Sequence, residues 1–581
     1  MTPNNTSDFN EPSELSSEEK VTHRPQTERT EFSWEYRAVF FFLVLALVLR
    51  IFSAFNYRVD SDEPQHLHVV WAWGQGLLQY RDVFDNHAPL FQILCAPLLR
   101  FFGERADIII PMRLAMLPLY LGCLWCVYKI GATLWSRRIG LWAAVFAGLE
   151  PRFFLTSTEF RTDDLWALLW LVALLILIKG ELTPKRWFAF GLVLGATFAT
   201  SMKTSLLLAT LALGGLSVLV FLWRAGEKIS WRSMIPGAAL AVAGAVIIPG
   251  ALVFFFVSHH AFHEMYYGVI QHNIVPGLKR WGHLHGDSLV FFISLPVIVI
   301  IGWFTFRRAP NYSLGARRAV IFLAPSFFIT SLYSFWPEIT REDFLPFSPV
   351  AMLACTPFLF AGIARVTRRW NRIKPIVPLS FVAILLIALI IKIDTPWHNH
   401  LRSHIETIAR VLQLTRPGDF VLDSKSGAIF RLRPYFYVLE TLTRARMKNG
   451  TIKDTVKESL IKTRTAVVCV DGLLHGMPVL SFIKDNYLFI QRPLGVTVLG
   501  KMLEPSAAGS SDYPFDVAIP GDYVLLCEKG KLSGTLDGMP VDRPQDLEAG
   551  HHEFLKTTGE GRVAIFWANA SEKGFSPFSG K

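Results

Sequence analysis

Charged residues are scarce in this chain of 581 residues, at 18% where roughly 25% is usual for a soluble globular domain. Hydrophobic residues make up 51%, and the mean hydropathy is +0.35. The apolar residues occur in long runs, and a membrane-spanning helix needs about 20 of them in succession. These values exclude an ordinary soluble enzyme and predict an α-helical membrane protein with several spans.

Cysteine is also scarce, with six residues. Cys123 and Cys126 lie inside an apolar run, where packing explains them better than a redox or zinc site. Cys469 and Cys527 lie in strand-like runs, so we expect both to be buried, and a disulfide between them stays open. The polar residues 1–37 lack the apolar region and cleavage site of a signal peptide, which predicts a disordered cytoplasmic tail.

The net charge of +11 does not indicate a nucleic acid partner. A basic stripe with interleaved aromatic residues on a soluble element, which nucleic-acid binding would favour, is missing. The basic residues instead form clusters between the apolar runs. Such clusters are typical of the cytoplasmic loops of membrane proteins.

Eleven apolar runs are long enough to be membrane spans. They cover residues 38–56, 108–134, 139–157, 165–182, 187–203, 205–223, 234–257, 289–306, 319–335, 345–364 and 375–393. Basic clusters follow the even-numbered runs, beginning at Arg137, Lys185, Arg224, Arg307 and Arg365. We therefore predict a plasma (inner) membrane protein with a cytoplasmic N-terminus. Residues 394–581 would lie outside the cytoplasm, in the periplasm if the cell is Gram-negative.

A further apolar run at 88–103 is predicted not to span the membrane. It is short, it carries Pro89, Pro97 and Arg100, and a crossing here would place every later basic cluster outside. We expect a helix that lies at the outer membrane surface. The first outer loop then covers about 57–107, which is long for a connection and points to a function.

Acidic residues occupy the start of this first outer loop. Asp62 and Glu63 follow the first span in the segment RVDSDEPQHLH. A carboxylate at this depth is placed to meet a lipid headgroup, and a solvated loop explains the pair equally well.

The second outer loop adds charged residues on the same side of the membrane. The segment TEFRTDDLW contains Glu159, Arg161, Asp163 and Asp164. Glu159 and Asp163 share a face if this turn is helical. The two aspartates also stand at a helix N-terminus, where the helix dipole stabilises negative charge, so helix capping is a full alternative.

Cations and aromatic residues follow in later outer loops. Lys203 interrupts an apolar stretch, where it either binds a lipid phosphate or snorkels to the surface. In the loop 258–288, Tyr267, Lys279 and Arg280 suit a sugar ring and an anionic headgroup. Three histidines of that loop have spacing compatible with a divalent cation, which stays an open alternative. The fifth outer loop carries further charges, which favour a solvated loop slightly over a substrate rim.

Several of these segments together resemble the bacterial members of glycosyltransferase family 39. These are the dolichyl-phosphate-mannose–protein mannosyltransferase-like proteins, related to the lipid A aminoarabinose transferases. The matching pieces, in the family's order, are the Asp62-Glu63 pair, HAPLFQIL with its candidate substrate-binding His87, FFGERADIIIPMRLAML, TEFRTDDLWALLW and REDFLPFSPVAMLA. His87-Ala88-Pro89 has one proline where the family often has two, and Pro64-Gln65-His66 departs from the usual residues after the acidic pair.

The resemblance implies an integral-membrane transferase of the GT-C fold class. It would move a sugar from a polyprenyl-phosphate carrier to a protein, lipid or glycan acceptor outside the cytoplasm. Asp62 would be the catalytic carboxylate of an inverting single displacement, with Glu63 and Asp163 orienting hydroxyl groups. Lys203, Arg161, Lys279 and Arg280 would neutralise the lipid phosphate. This scheme requires no metal ion.

The tail after residue 393 is predicted to be soluble. Residues 394–505 alternate helix-like and strand-like stretches, as an α/β unit does, and residues 506–581 contain short Gly-broken strands typical of a β-sandwich. Trp567 there could stack on a carbohydrate.

Two alternatives to the transferase stay open. A transporter or lipid flippase of the cell envelope should show internal repeats. A non-catalytic sugar-sensing protein would not need Asp62.

Overall fold

The computed structural model describes residues 26–228, 231–275, 286–336, 339–366, 376–393, 398–472, 474–491 and 495–578. Lys279 and Arg280, two of the predicted phosphate ligands, lie outside these residues. The helices up to residue 393 are α1 (Gln26–Asn56), α2 (Asp62–Gly74), α3 (Leu90–Phe102), α4 (Ile109–Leu114), α5 (Leu117–Leu134), α6 (Arg137–Leu149), α7 (Pro151–Thr156), α8 (Thr162–Ile178), α9 (Pro184–Thr200), α10 (Thr204–Arg224), α11 (Trp231–Ser258), α12 (Phe262–Tyr266), α13 (Gly286–Arg307), α14 (Tyr312–Phe335), α15 (Ser348–Val366) and α16 (Ile376–Ile393).

Helices cover all eleven predicted spans. Six of the described helices are long and apolar enough to cross a membrane: Trp34–Asn56, Ile109–Leu134, Thr204–Arg224, Met234–Ser258, Ser348–Arg365 and Ile376–Ile393. The chain is thus a multi-pass membrane protein, but the count of eleven spans is not confirmed. Helices such as α8 and α9 have only 17 residues each, which is shorter than the roughly 20 that a full crossing needs.

The surface helix predicted between residues 88 and 103 forms as α3. Its outward side is apolar, since Leu94 is 56% exposed and Phe101 is 81% exposed. The opposite side packs Phe91 and Leu99 into the core. An apolar outward face on a short helix suits a position at the lipid surface.

Contacts between loops sort the connections into two groups. Arg138 of one predicted cytoplasmic loop binds Glu35 at 2.5 and 2.7 Å. Arg318 of another donates to the carbonyl oxygen of Leu134 at 2.8 and 2.9 Å. The N-terminal part of α1 and these basic loops therefore share one end of the helix bundle, and the predicted outer loops meet at the other end.

The C-terminal part, which the sequence predicts to be soluble, contains five helices and one sheet among its described residues. The helices are α17 (Arg402–Leu414), α18 (Thr441–Lys448), α19 (Val456–Lys462), α20 (Val479–Asn486) and α21 (Ala568–Glu572). The strands are β1 (Val421–Leu422), β2 (Val467–Cys469), β3 (Tyr487–Gln491), β4 (Val496–Leu503), β5 (Asp512–Val517), β6 (Gly521–Leu536), β7 (Met539–Pro540), β8 (Gln545–Leu547) and β9 (Gly550–Trp567).

The nine strands form one sheet. Six of them follow the order β1-β2-β4-β9-β6-β7, and β3, β5 and β8 pair with β4, β9 and β6 off this path. β1 and β2 are parallel, and β4 pairs antiparallel with β2 through its first half and with β9 through its second half. A C-terminal sheet domain with an α/β part is confirmed. β4 continues from one part of the sheet into the other, and the division near residue 505 into an α/β unit and a β-sandwich stays a prediction.

The two cysteines of this domain are free thiols. Cys469 is buried as predicted, but Cys527 is partly exposed, which corrects the expectation from its strand-like sequence. The register of β6 against β9 shifts directly after Cys527, and its side chain packs only at the edge of the core. Trp567 packs against the core of the sheet, which does not suit an open stacking platform.

A shared hydrophobic cluster fixes the soluble part onto the membrane part. Leu401 and Ile408 of the α17 region, with Ile429 and Phe430, pack against α2, α3 and α4. His68 of α2 is also within 3.0 Å, through Nδ1, of the carbonyl oxygen of Ile429. The residues around 423–430 are therefore held close to the start of α2, where the acidic pair lies.

Candidate active site

A cavity of about 500 Å³ opens where the outer loops meet. Its walls come from the first, third, fourth and fifth predicted outer loops and from the soluble domain. The charged and histidine side chains that line it are Asp60, Asp62, His87, Lys203, Arg341, Glu342, Lys425 and Glu440. Asp62, His87 and Lys203, three of the predicted site residues, are thus brought together.

The position of Asp62 follows from the way α2 begins. The backbone N–H of Asp60 donates to Glu63 Oε2 at 3.0 Å, and the N–H of Asp62 donates to Asp60 Oδ1 at 3.1 Å. This reciprocal arrangement is a capping box, which satisfies the free N–H groups of a helix start. The first turn also favours negative charge. Asp62 is thereby held at the mouth of the cavity.

Arg161 is the centre of the ion-pair network. Its guanidinium binds Asp60 at 2.6 Å, Asp62 at 2.8 Å and Glu342 at 2.9 Å, and the side chain is 2% exposed. Asp163 lies farther off, at 3.4 Å from Nε. A guanidinium suits this role because its donors are fixed in a planar fork. Arg161 therefore organises the carboxylates and has little capacity left for a substrate.

A second arginine completes the acidic side of the network. Arg341 binds Asp60 at 2.5 Å and Glu159 at 2.8 Å, and it donates to the hydroxyl of Tyr57 at 3.1 Å. Burial raises the pKa of Glu159 to about 8 in spite of the nearby arginines. Glu159 has no exposed side-chain surface, so it supports the network from behind the cavity.

Lys203 stands directly before α10 at the cavity wall. Its ammonium is paired with Asp343, and Asp163 Oδ1 is 3.9 Å away. The side chain is one-quarter exposed. Asp163 therefore positions Arg161 and Lys203 and does not line the cavity itself. Lys203 keeps enough exposure to meet a ligand phosphate.

Glu63 points away from the cavity. It binds Arg113 through both oxygens, at 2.7 and 2.5 Å, and accepts from the N–H of Phe160 at 2.8 Å. Neither side chain of this pair has exposed surface. The expectation that Glu63 orients substrate hydroxyls does not fit this geometry, because the carboxylate is satisfied within the protein.

His87 lines the cavity in front of a buried carboxylate. Asp85 Oδ1 is 2.8 Å from His87 Nδ1, and Asp85 has no exposed side-chain surface. Gln65, Gln79 and Gln92 all donate to Asp85, which fixes its orientation. Burial opposes the charging of His87, but Asp85 outweighs it and raises its pKa.

Asp62 is held by two cations. One oxygen accepts from Arg161, and the other is paired with the ammonium of Lys425 from the soluble domain. Burial alone would raise the pKa of Asp62, but Lys425 and Arg161 outweigh it and hold the pKa well below its usual range. Asp62 is therefore ionised at neutral pH, and it is a weak base while both cations stay in place.

Two further predicted residues lie apart from the cavity. Tyr267 packs against His272, Tyr437 and Arg446 at the contact with the soluble domain. Asp164 is buried in the first turn of α8, where Oδ2 has no hydrogen-bond partner. Within the part of the chain that the structure describes, no group of His, Cys, Asp or Glu residues has a geometry that would hold a metal ion.

Sequence reasoning missed several members of the site. Lys425 and Glu440 come from the soluble domain and carry no motif. Arg113 had a usable signal, since it is an arginine inside the apolar run IIIPMRLAML, where an ionisable group needs a partner. Arg341 and Glu342 were visible in the fifth outer loop, but their contact with the first loop depends on the fold.

The helical membrane part and the C-terminal sheet domain together have a fold of the GT-C type. The sequence model of the dolichyl-phosphate-mannose-protein mannosyltransferase family matches residues 86–252. The resemblance read from the outer-loop segments is thereby confirmed. No curated protein sequence matches the chain significantly.

Two solved structures of ArnT show the same fold at low sequence identity. Apo ArnT from Cupriavidus metallidurans matches with a TM-score of 0.53 and 13% identity, over 81% of this chain and 98% of that one. ArnT from the same organism bound to undecaprenyl phosphate matches with a TM-score of 0.50 and 14% identity, over 78% of this chain and 95% of that one. The apo oligosaccharyltransferase of Archaeoglobus fulgidus matches with a TM-score of 0.42 and 10% identity, over 75% of this chain and 69% of that one.

Proposed function

We propose that this protein transfers a sugar from a polyprenyl-phosphate carrier to an acceptor outside the cytoplasm, with inversion at the anomeric carbon. Asp62 is the catalytic carboxylate. The observation that carries the proposal is the cavity of about 500 Å³ in which Asp62 faces the same space as His87 and Lys203. A carboxylate and two nitrogen groups able to carry positive charge are what such a displacement needs.

The reaction is a single displacement. The acceptor O–H or N–H donates a hydrogen bond to Asp62, and its lone pair attacks the anomeric carbon. The bond from that carbon to the phosphate oxygen breaks, and its electron pair leaves on the lipid phosphate. Asp62 takes the acceptor's proton, a step that contributes about 10²–10⁴-fold when the base is well placed. No second carboxylate acts as nucleophile and no metal ion is used.

Positive groups around the cavity stabilise the leaving phosphate. Lys203 is partly exposed there, and the pKa of His87 is raised by Asp85, which favours its charged form. Arg161 acts through Asp62, because its donors are already bound to carboxylates. Cations fixed before the reaction stabilise the charge that develops on the leaving group.

The surplus of carboxylates suits the sugar. Asp60 and Glu342 line the cavity beside Asp62, and carboxylates accept hydrogen bonds from hydroxyl groups. The membrane position lets the polyprenyl chain stay in lipid while its headgroup enters the cavity. We place this cavity, with the soluble domain, on the outer side of the plasma membrane, as the distribution of basic loops favours.

The class is tested with purified protein in liposomes. A panel of radiolabelled polyprenyl-phosphate sugars is offered together with crude envelope acceptors. We expect one donor to be consumed and its label to appear in an acceptor. Movement of a labelled lipid across the bilayer, with every donor intact, would replace the transferase by the lipid flippase.

A further inference from the structure

Lys425 reaches the reacting carboxylate from a different domain. It follows β1, 363 residues after Asp62 in the chain, and its ammonium is paired with Asp62 and lies 3.2 Å from Ser61 Oγ. The side chain is 8% exposed. An ammonium buried this far keeps its charge only with an anionic partner, and Asp62 supplies it.

The loop that carries Lys425 is fixed by its own hydrogen bonds. Asp423 accepts from the backbone N–H groups of the residues from Lys425 to Ala428 and from the hydroxyl of Ser426. Ser424 is bound to Asp471. The backbone therefore cannot follow a moving ligand, and any adjustment falls to the side chain of Lys425.

The same loop holds an unusual backbone conformation. Gly427, Ala428 and Ile429 have φ values of +53°, +45° and +75°. The left-handed region is costly for a side chain branched at Cβ, as in Ile429. Such a conformation persists only where the surroundings enforce it, and it is common at functional sites. These three residues lie shortly after Lys425, in the loop that carries it.

Each of the other lysine and arginine side chains of the cavity contacts two or more carboxylates. Arg161 binds several carboxylates and is 2% exposed. Arg341 binds Asp60 and Glu159, and Lys203 is paired with Asp343 beside Asp163. Lys425 has Asp62 as its carboxylate partner among the described residues. Its long flexible stem and compact charge allow it to change partner.

Lys425 also lies between two cavities. A second cavity, of about 680 Å³, separates the first outer loop from α17 and the 423–429 loop. Asp60, Ser61 and Lys425 line both cavities. The contact between Lys425 and Ser61 therefore forms part of the wall that divides them.

We propose that Lys425 is a positioning residue that exchanges between Asp62 and the phosphate of the donor. This inference rests on the proposed transferase function. Without donor, the ammonium occupies one oxygen of Asp62. When the lipid phosphate enters, the ammonium turns to it, and that oxygen of Asp62 becomes free for the acceptor. Binding of the donor thus activates the base.

The exchange predicts an order of affinities that does not depend on turnover. Equilibrium binding of radiolabelled polyprenyl phosphate is measured on the full-length protein in detergent. Asp62→Asn releases Lys425 from its competing partner, so this inactive variant should bind the lipid phosphate about tenfold more tightly than wild type. Lys425→Met should bind it about tenfold more weakly, and Asp62→Asn/Lys425→Met should show no gain over Lys425→Met.

Two control variants accompany these measurements. Lys453→Met removes an exposed lysine of the same domain and should leave binding and transfer unchanged. Lys425→Arg keeps the charge and should restore most of the affinity. In addition, Lys425→Met should move the acid limb of the transfer rate to higher pH, because removing a cation raises the pKa of Asp62.

The outcomes separate the inference from the proposed function. If wild type transfers sugar but Asp62→Asn binds polyprenyl phosphate no more tightly, the exchange does not occur. If the double variant keeps the gain, another cation is responsible and the role of Lys425 is overturned. Wild type that neither binds polyprenyl phosphate nor transfers sugar would contradict the proposed function itself, and the inference with it.

Discussion

Glu63 and Arg113 form a two-point ion pair without exposed surface, at 2.7 and 2.5 Å, between the first turn of α2 and α4. Arg113 also donates to the carbonyl oxygens of Tyr57 and Arg58. The pair therefore ties the loop before α2 to the helix bundle. It fixes the direction in which the neighbouring Asp62 points.

Arg113→Ala should destabilise the protein strongly. The substitution leaves the Glu63 carboxylate buried without its counter-ion, which costs about 3–5 kcal/mol. Thermal unfolding in detergent measures the loss. Arg105→Ala removes an exposed arginine that binds Asp107 at the surface, and this control should leave the unfolding temperature almost unchanged. Equal unfolding temperatures for the two variants would show that the Glu63–Arg113 pair does not hold the loop.

Arg161→Lys should lower the transfer rate by about 10²-fold, as the loss of a fixed electrostatic group in an active site does. A single ammonium cannot bind Asp60, Asp62 and Glu342 together as the guanidinium does. The turnover number is compared with that of Arg81→Lys, which alters an exposed arginine paired with Asp82. A turnover number within twofold of wild type for Arg161→Lys would remove Arg161 from the account.

Glu159→Gln should stabilise the protein more at pH 8 than at pH 5. Burial raises the pKa of Glu159 to about 8, whereas an unfolded glutamate titrates near about 4.3. Between these values the unfolded chain has lost a proton that the folded protein keeps, so the stability of wild type falls as pH rises. The stability of the glutamine variant does not fall in this way, because its amide does not titrate. The difference in unfolding temperature should grow from pH 5 to pH 8, and a constant difference would refute the assignment.

Asp85→Asn should shift the pH dependence of lipid phosphate binding. Asp85 raises the pKa of His87 against the effect of burial, so the neutral amide should lower it. Charged His87 attracts phosphate, and affinity should therefore fall as pH rises through the pKa of His87. The affinity for polyprenyl phosphate is measured from pH 5 to pH 9. In the variant it should fall at a lower pH than in wild type. Identical profiles would show that His87 does not meet the phosphate.

The sequence was informative where local pattern decides the structure. Hydropathy predicted where the helices lie, and the basic clusters predicted their orientation. The helix α3 lies where the prolines and the topology predicted a surface helix. The acidic pair, Arg161 and Lys203 were found because ionisable residues at helix ends in a membrane protein need a reason. The sequence could not predict that Asp62 lines the cavity while Glu63 is buried against Arg113. Adjacent residues differ only in the side of the first turn of α2 on which they lie.

The parts that sequence did not reveal depend on distant contacts. Lys425 meets Asp62 only because the hydrophobic cluster around Ile429 docks the soluble domain on α2. The segment DSKSGAI has no pattern that distinguishes it from a surface turn. The link between the two halves of the sheet was missed for a similar reason, because no local pattern in the sequence shows that β4 pairs with both β2 and β9.

The most direct test of the account compares wild type with Asp62→Asn in the transfer assay, at matched expression and with the donor that wild type consumes. Asp107→Asn, which changes an exposed carboxylate of the same predicted outer loop, serves as the matched control. We expect full transfer by the control and a transfer rate for Asp62→Asn that is lower by at least about 10²-fold. Transfer by Asp62→Asn at the wild-type rate would contradict the claim that this carboxylate carries the reaction.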